Sequence, residues 1–290
     1  MGRFANSWEL TKTSFKVASA DKELLILPVL SLLAMVASFA LVIGVAARYH
    51  LLGPITNEQT GDVAPLQLAL AAFLYLSLAF IQTFFAAAVV AGAMERLSGG
   101  NPTLGSALKA ASRKAGRILV WSAVLATVNI LLQMLRERGG MAGRIVAGLG
   151  NMAWSLATYF MVPVLLFEEV PMVGSVGRSG ALFKKTWGEQ VIGNGGVGLV
   201  FGLVFMLLAM LGYALAAPLI QARDWLGAVP IIAVFVTLGL VVLAIQAVVQ
   251  GVYKAALYRF ATTGTTAAGF TTEQLSGAYQ VRGSGQQPPQ

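Results

Sequence analysis

Hydrophobic positions along this chain are gathered into six long stretches, and all of its charged residues lie outside them. A helix needs about 20 apolar residues to cross a hydrocarbon core roughly 30 Å thick, and it bonds its backbone polar groups internally. Strands of a membrane β-barrel would be about 10 residues long with alternating polarity, unlike these uniformly apolar stretches. The pattern predicts an all-α membrane protein with six transmembrane helices, spanning about 24–47, 66–93, 118–135, 145–167, 195–217 and 228–252.

The composition of the 290 residues agrees with this prediction, since 57% are hydrophobic and only 11% are charged. A soluble domain carries about 25% charged residues, so most of the surface is expected to face something other than water. The chain has no cysteine and one histidine, His50. That excludes a disulfide framework and the common zinc sites, and we expect neither a metal nor another cofactor.

The basic residues are distributed unevenly between the two sides that six spans define. Of the 20 lysines and arginines, 15 lie in the N-terminal segment, the second and fourth loops and the C-terminal segment. Loops rich in Lys and Arg stay in the cytoplasm, which predicts a multi-pass protein of a bacterial or archaeal plasma (inner) membrane with both termini cytoplasmic. The net charge of +8 then reports membrane orientation rather than nucleic-acid binding, because the cytoplasmic segments carry no nucleic-acid-binding motif.

A basic, amphipathic segment precedes the first, third and fifth spans, with apolar residues at helical spacings of three and four. Such helices lie in the headgroup region of a bilayer, which predicts three hairpins, each preceded by a cytoplasmic interfacial helix. Ser106 and Ser175 are expected near the starts of two of these helices as caps. Anionic lipid would favour each nearby cation by about 1 kcal/mol. The candidates for headgroup contact are Lys12, Lys16, Lys109, Arg113, Lys114, Arg178, Lys184 and Lys185. The alternative is that any cytoplasmic loop near a membrane is basic and partly apolar.

Several amides lie inside the predicted spans, and no ionisable residue does. The candidates for polar contacts within the membrane are Gln82, Asn129, Gln133, Asn151, Gln246 and Gln250. They favour either hydrogen bonds between helices or a lined polar cavity. The absence of charge at membrane depth argues against a proton relay and a voltage sensor.

Glu168 and Glu169 are the one adjacent pair of carboxylates. They invite comparison with intramembrane prenyl-protein proteases, but Val173 stands where that motif has an arginine, and the histidines are missing. We expect instead that the surface glutamates pair with nearby Arg96, Arg178 or Lys185 and hold helix ends together. Pro163 is expected to kink the fourth span so that its end meets the following loop helix. No catalytic motif is found, so an enzyme is not predicted.

The chain is expected to divide into a six-helix transmembrane domain over residues 1–260 and a flexible cytoplasmic tail over 261–290. The tail is rich in Gly, Thr, Ser and Gln, a composition that buries too little apolar surface to offset the entropy of ordering.

The chain resembles an uncharacterised family of prokaryotic integral membrane proteins over roughly residues 1 to 260. The resemblance rests on loose motifs, which are Ser7-Trp8, Ser14-Phe15-Lys16-Val17, Asp21-Lys22-Glu23-Leu24-Leu25, Pro28, Pro163 to Glu168, Ser175, Arg178, Ser179, Leu182 and Trp187. More distantly, it is similar to the six-helix membrane domain joined to some glycerophosphodiester phosphodiesterases. Only the membrane architecture carries over, because the catalytic domain of those enzymes and its metal-binding positions are not present.

These observations favour a non-enzymatic membrane protein that binds, organises or passes lipids or small amphiphiles, with anionic membrane lipids as its partners. A structural subunit that binds another protein, or a homo-oligomer, is the alternative, and no nucleic acid is expected. A membrane-surface enzyme acting through Glu168 or Glu169 is a third hypothesis.

Overall fold

A computed structural model of the chain describes residues 15, 22–53, 64–187 and 196–265. Apart from residue 15, the described residues include nine helices, and no strand occurs among them. The helices are α1 (Lys22–Arg48), α2 (Pro65–Leu97), α3 (Leu104–Arg113), α4 (Ala115–Arg138), α5 (Gly140–Ala157), α6 (Met161–Phe167), α7 (Met172–Trp187), α8 (Gly196–Gln221) and α9 (Trp225–Thr263).

Six segments are long and apolar enough to cross a membrane, as the hydrophobic pattern predicts. They are Glu23–Arg48, Pro65–Leu97, Ala115–Arg138, Gly140–Phe167, Val200–Gln221 and Trp225–Thr263. The all-helical fold and the number of such helices are therefore confirmed for the described residues. The sixth of these segments forms α9 and continues about three turns past the predicted end at residue 252. It ends at Thr263, and the next residue, Gly264, has a left-handed φ of 70°, which favours glycine.

The fourth segment is broken, because α5 ends at Ala157 and α6 begins at Met161. Pro163 has no N–H, and its ring clashes with the carbonyl of the residue four positions earlier, Tyr159. The break before Pro163 agrees with the predicted kink, although Pro218 is accommodated inside α8 without one.

The helices α4 and α5 form an antiparallel pair joined at Gly139. The rings of Trp121 and Trp154 stack with centroids 5.8 Å apart. Farther along, the side chain of Leu132 lies 3.2 Å from the position that a Cβ on Gly150 would occupy. Near the turn, a Cβ on Gly143 would overlap the carbonyl oxygen of Leu135, so this close approach requires glycine.

The described residues belong to two compact units. One comprises Ile26–Gly92 and Thr103–Ala181, and its core contains Trp121, Met161 and Leu165, against which Trp154 and Val176 also pack.

The other unit comprises Met1–Leu25, Ala93–Pro102 and Leu182–Gln290. In it, the ring of Phe235 on α9 lies so close to Gly212 on α8 that a Cβ there would sit 3.0 Å from it. The most apolar stretches of α8 and of α9 are only 6% buried within the protein, so their side chains are available to lipid.

Candidate functional site

Arg117, in the first turn of α4, is the centre of a polar junction beside the fourth membrane segment. Its Nη1 donates to the carbonyl oxygens of Leu165 at 3.2 Å and Glu168 at 2.6 Å. Its Nη2 donates to the carbonyl oxygen of Val170 at 2.5 Å and to the Ser175 hydroxyl oxygen at 3.4 Å. The last carbonyls of a helix have no partner within it, and a cation is favourable there. Arg117 therefore caps α6 and ties the starts of α4 and α7 to it. We call these contacts the Arg117 junction.

Two ion pairs flank the Arg117 junction. Arg178 Nε donates to both carboxylate oxygens of Glu168, at 3.2 and 2.8 Å, as the sequence predicts. Glu169 pairs with Lys114, a residue that the sequence analysis did not consider as its partner. Hydrogen bonding and charge attraction from Lys114 lower the pKa of Glu169. Glu169 therefore connects residues that are 55 apart in the sequence, whereas the Glu168–Arg178 pair joins residues that are 10 apart.

Two buried serines on α7 form hydrogen bonds with backbone groups, one of them at the break in the fourth segment. The hydroxyl oxygen of Ser179 accepts a hydrogen bond from the backbone N–H of Phe160, at 3.1 Å. The hydroxyl of Ser175 donates to the carbonyl oxygen of Pro171, at 3.1 Å. The neighbouring helix thus supplies Phe160, which precedes the first turn of α6, with the partner that its N–H needs.

The expected caps of α3 and α7 need correction. Thr103, rather than Ser106, caps α3, because the Thr103 hydroxyl accepts from the Ser106 N–H while the Ser106 hydroxyl accepts from the Thr103 N–H, each at 3.0 Å. Ser175 lies inside α7, which begins at Met172, and is buried at the Arg117 junction. A hydroxyl three residues before Ser106 was the available signal for this capping box.

Replacing Ser179 with alanine is expected to lower the free energy of unfolding by about 1 kcal/mol, because it removes the hydrogen bond that the Phe160 N–H donates to the buried Ser179 hydroxyl. SDS titration of the purified protein in mixed micelles measures this. Ser155→Ala, at an exposed position on α5, is the matched control and should change stability by under about 0.5 kcal/mol. Equal effects of the two substitutions would contradict the assignment.

The helix α3 has an exposed basic face, and the opposite face of the helix is buried. Ala107 and Ala111 are 1% and 0% exposed, whereas Lys109 and Arg113, one turn apart, are exposed. Among the described residues, neither cation has an acidic partner. Any contact of α3 with lipid headgroups would therefore be made by Lys109 and Arg113 rather than by apolar side chains.

The candidates for headgroup contact fall into three groups. Lys109, Arg113 and Lys184 are exposed, whereas Lys114 and Arg178 are held in ion pairs. Lys12, Lys16 and the side chain of Lys185 lie outside the described residues. Contact of any of them with lipid stays a prediction.

The predicted polar contacts within the membrane are not brought together as a cluster. Gln82, Asn129 and Asn151 are exposed, and Gln246 and Gln250 are half-buried. Gln133 donates to Glu137 on its own helix, at 2.8 Å. In the described part of the chain, none of these six amides forms a hydrogen bond to another helix. A hydrogen bond between two helices does join the hydroxyls of Ser38 on α1 and Ser77 on α2, at 2.8 Å. The sequence did not indicate this contact.

A second arginine cap occurs in the other unit. Arg259 near the end of α9 donates to the carbonyl oxygen of Leu97, the last residue of α2, and to the Ser98 hydroxyl oxygen at 3.0 Å. From the sequence, Arg117 and Arg259 were counted only among the basic residues that indicate orientation. The only sign that they cap helix ends was that each lies within a few turns of the end of an apolar stretch.

The residues over 22–53, 64–187 and 196–265 include no group of three His, Asp or Glu side chains placed to hold a metal ion. The polar groups of the candidate site are therefore the Arg117 junction and the basic face of α3.

Residues 66–270 match a protein family whose description is "Family of unknown function (DUF6159)". No curated protein and no solved structure matches the chain. The match begins at residue 66, so the N-terminal motifs named above lie outside it. A prokaryotic origin and the likeness to the phosphodiesterase membrane domain stay predictions.

Proposed function

The chain belongs to the DUF6159 family, whose function is unknown, and from its own surface we propose that it is a membrane protein that binds and organises anionic lipids. It does so at the cytoplasmic surface of a plasma membrane, through the basic face of α3 and without catalysing a reaction. The exposure of Lys109 and Arg113 on a helix whose other face is buried is the observation that carries this proposal.

The rigidity of α3 supports a lipid-binding role. Its first turn is closed by the capping box of Thr103 and Ser106, and Ala107 and Ala111 are buried against the rest of the protein. The helix fixes the spacing of the two cations, so no backbone has to be ordered when a phosphate binds between them, and preorganisation of this kind favours affinity. Arg is also suited to phosphate because its planar guanidinium can donate two parallel hydrogen bonds.

The membrane topology is part of the proposal. The 15 basic residues on one side favour cytoplasmic termini, which would place α3 and the Arg117 junction at the cytoplasmic surface. The arrangement of three hairpins, each after an interfacial helix, is proposed on the same pattern. Arg117 and Glu168 lie just outside apolar stretches, as expected for groups at the headgroup level.

A non-enzymatic role is favoured over catalysis by the glutamates. Glu168 is paired with Arg178, and Glu169 with Lys114, so both carboxylates are held by neighbouring cations. A general acid or base needs a pKa near the working pH, whereas the pKa of Glu169 is lowered. These carboxylates fit a structural role at helix ends.

A protein-binding subunit is the second candidate, and one exposed residue favours it. Val173, in the first turn of α7, is 90% exposed and lies outside the six apolar segments. An exposed apolar side chain outside those segments suits contact with a docked protein helix. Photo-crosslinking from position 173 to a protein rather than to lipid would favour this candidate.

Replacing both Lys109 and Arg113 with glutamine is expected to weaken the preference for anionic over zwitterionic lipid by up to about thirty-fold. The reason is that each cation near an anionic surface contributes about 1 kcal/mol, and 1.4 kcal/mol is a factor of ten. The measurement is electron spin resonance of spin-labelled phosphatidylglycerol and phosphatidylcholine around the reconstituted protein.

Arg136→Gln with Arg138→Gln is the matched control. It removes the same charge from the exposed far end of α4. It therefore tests whether the position of the charge, rather than its amount, determines the selectivity for anionic lipid. An equal loss of selectivity in both double variants, or no selectivity in the unaltered protein, would rule out the assignment to α3.

A further inference from the structure

Asn129 on α4 and Asn151 on α5 are polar side chains in apolar segments, and both are exposed. Neither has a hydrogen-bond partner among the residues that the structure describes. An amide in hydrocarbon without a partner costs several kcal/mol. Their exposure therefore implies a polar partner that is not among the described residues.

The two amides lie at the same depth. Asn129 is 10 residues before the connecting residue, Gly139, and Asn151 is 12 residues after it. With a rise of about 1.5 Å per residue, both are roughly 15–18 Å from the turn. Arg136 and Arg144, which mark the ends of the two apolar stretches, lie about 10 Å nearer the turn, so both amides are about 10 Å inside the hydrocarbon.

The two amides also lie on the same side of the α4–α5 pair. The contact line between the helices passes through Leu132 and Gly150, and each asparagine is about a quarter turn from this line in the same rotational sense. Because the helices are antiparallel, equal rotations place both side chains on one side of the pair. We call this side the asparagine face.

We propose that the asparagine face binds the same face of a second copy of this chain, so that the protein is a homodimer in the membrane. A two-fold axis along the membrane normal brings residues of equal depth together. An amide both donates and accepts, so Asn129 and Asn151 of one copy satisfy those of the other. A lipid offers only acyl chains at this depth and satisfies neither.

Charge on the asparagine face does not oppose this pairing. Arg136 is seven residues from Asn129 and Arg144 seven from Asn151, both toward the turn. They are therefore about 10 Å from the amides, at the membrane surface, where water and salt screen their repulsion. The dimer thus has polar contacts within the hydrocarbon and exposed arginines at one end.

Because the chain contains no cysteine, an introduced cysteine can form a disulfide within the dimer only with another introduced cysteine. In a two-fold dimer of the asparagine face, α4 of one copy lies against α5 of the other, so Asn129 meets Asn151 of the other copy. Copies with Asn129→Cys co-expressed with copies with Asn151→Cys should therefore form disulfide-linked dimers on mild oxidation in native membranes, since bridged Cβ atoms must approach within about 4.5 Å. Leu131→Cys is the matched control for Asn129→Cys, because Leu131 is 58% exposed at nearly the same depth but about 200° around α4 from Asn129. Co-expressed with Asn151→Cys, it should not form the linked dimer. Equal linkage of 129 and 131 to 151, or no linkage between 129 and 151, would overturn the proposal.

A second measurement does not depend on cysteine. The variant with both Asn129→Leu and Asn151→Leu should have a dissociation constant for the dimer in liposomes at least about tenfold higher, measured by energy transfer between labelled copies. Its selectivity for anionic lipid should be unchanged, because α3 is not altered. Loss of lipid selectivity with an intact dimer would therefore count against the proposed function alone. An unchanged dissociation constant would count against the dimer alone.

Discussion

Substitution of Arg117 by leucine is expected to lower the free energy of unfolding by about 3 kcal/mol or more. The guanidinium donates to three carbonyl oxygens and one hydroxyl oxygen, and a hydrogen bond to a charged group contributes about 1.5–3 kcal/mol. Removing it leaves the last carbonyls of α6 without partners. SDS titration in mixed micelles measures the change, and limited proteolysis after Glu168 should show that the connection between α6 and α7 has loosened.

Arg113→Leu is the control for this substitution. Arg113 is one turn earlier, is exposed, and has no partner among the described residues, so its replacement should cost under about 0.5 kcal/mol. Arg117→Lys should give an intermediate loss, because an ammonium lacks the planar fork that reaches several acceptors at once. A loss for Arg117→Leu no larger than for Arg113→Leu would show that the Arg117 junction does not hold these helices.

The features that the sequence predicted are those determined by local composition. The apolar stretch from 118 to 135 lies within α4, and Arg136 and Arg138 in its last turn mark its end. The kink at Pro163 was also predictable from its missing N–H and its ring clash, but these properties do not decide where a helix breaks, because Pro218 lies inside the uninterrupted helix α8. Long apolar runs therefore established the membrane helices before any contact was known, and Pro163 marked one candidate position for a break.

The features that the sequence did not predict depend on residues distant in the chain. Arg117 is 48 to 58 residues from its partners, and Lys114 is 55 residues from Glu169. No spacing rule connects such positions. The extension of α9 past residue 252 has a similar origin, because Ala255, Ala256 and Leu257 are each 0% exposed. Packing continues this helix where its hydrophobic pattern is interrupted by charge.

The exposed amides show a different limit of prediction from the sequence. The sequence identified Asn129 and Asn151 as unusual, but their pattern was equally consistent with contacts between helices of one chain. Only the exposure of both side chains, together with the contact line through Leu132 and Gly150, places them on one outward side. The proposed dimer therefore rests on three-dimensional information that periodicity alone does not contain.

Replacement of Trp121 by alanine is expected to lower the free energy of unfolding by about 3 kcal/mol. Trp121 is 2% exposed, packs beside Met161 and Leu165, and stacks on Trp154. Removing a buried tryptophan from a protein core costs about 3–5 kcal/mol. The lower value is expected here, because association of helices in lipid depends on packing and has no hydrophobic driving force. The same SDS titration measures it, and Trp225→Ala, at a position 58% exposed, should have little effect.

Phenylalanine substitutions distinguish the contribution of ring packing to stability from that of the buried Nε1 of Trp154. The Nε1 of Trp154 is buried and has no hydrogen-bond partner among the described residues, so Trp154→Phe removes an unsatisfied donor along with part of the ring. Trp121→Phe leaves that donor in place and opens a cavity beside Met161. We therefore expect Trp154→Phe to be the less destabilising of the two, and the double alanine variant to show a coupling of about 0.5–1.5 kcal/mol between the rings. Additive losses from Trp121→Ala and Trp154→Ala would mean that the stack contributes nothing to the stability of α4 and α5.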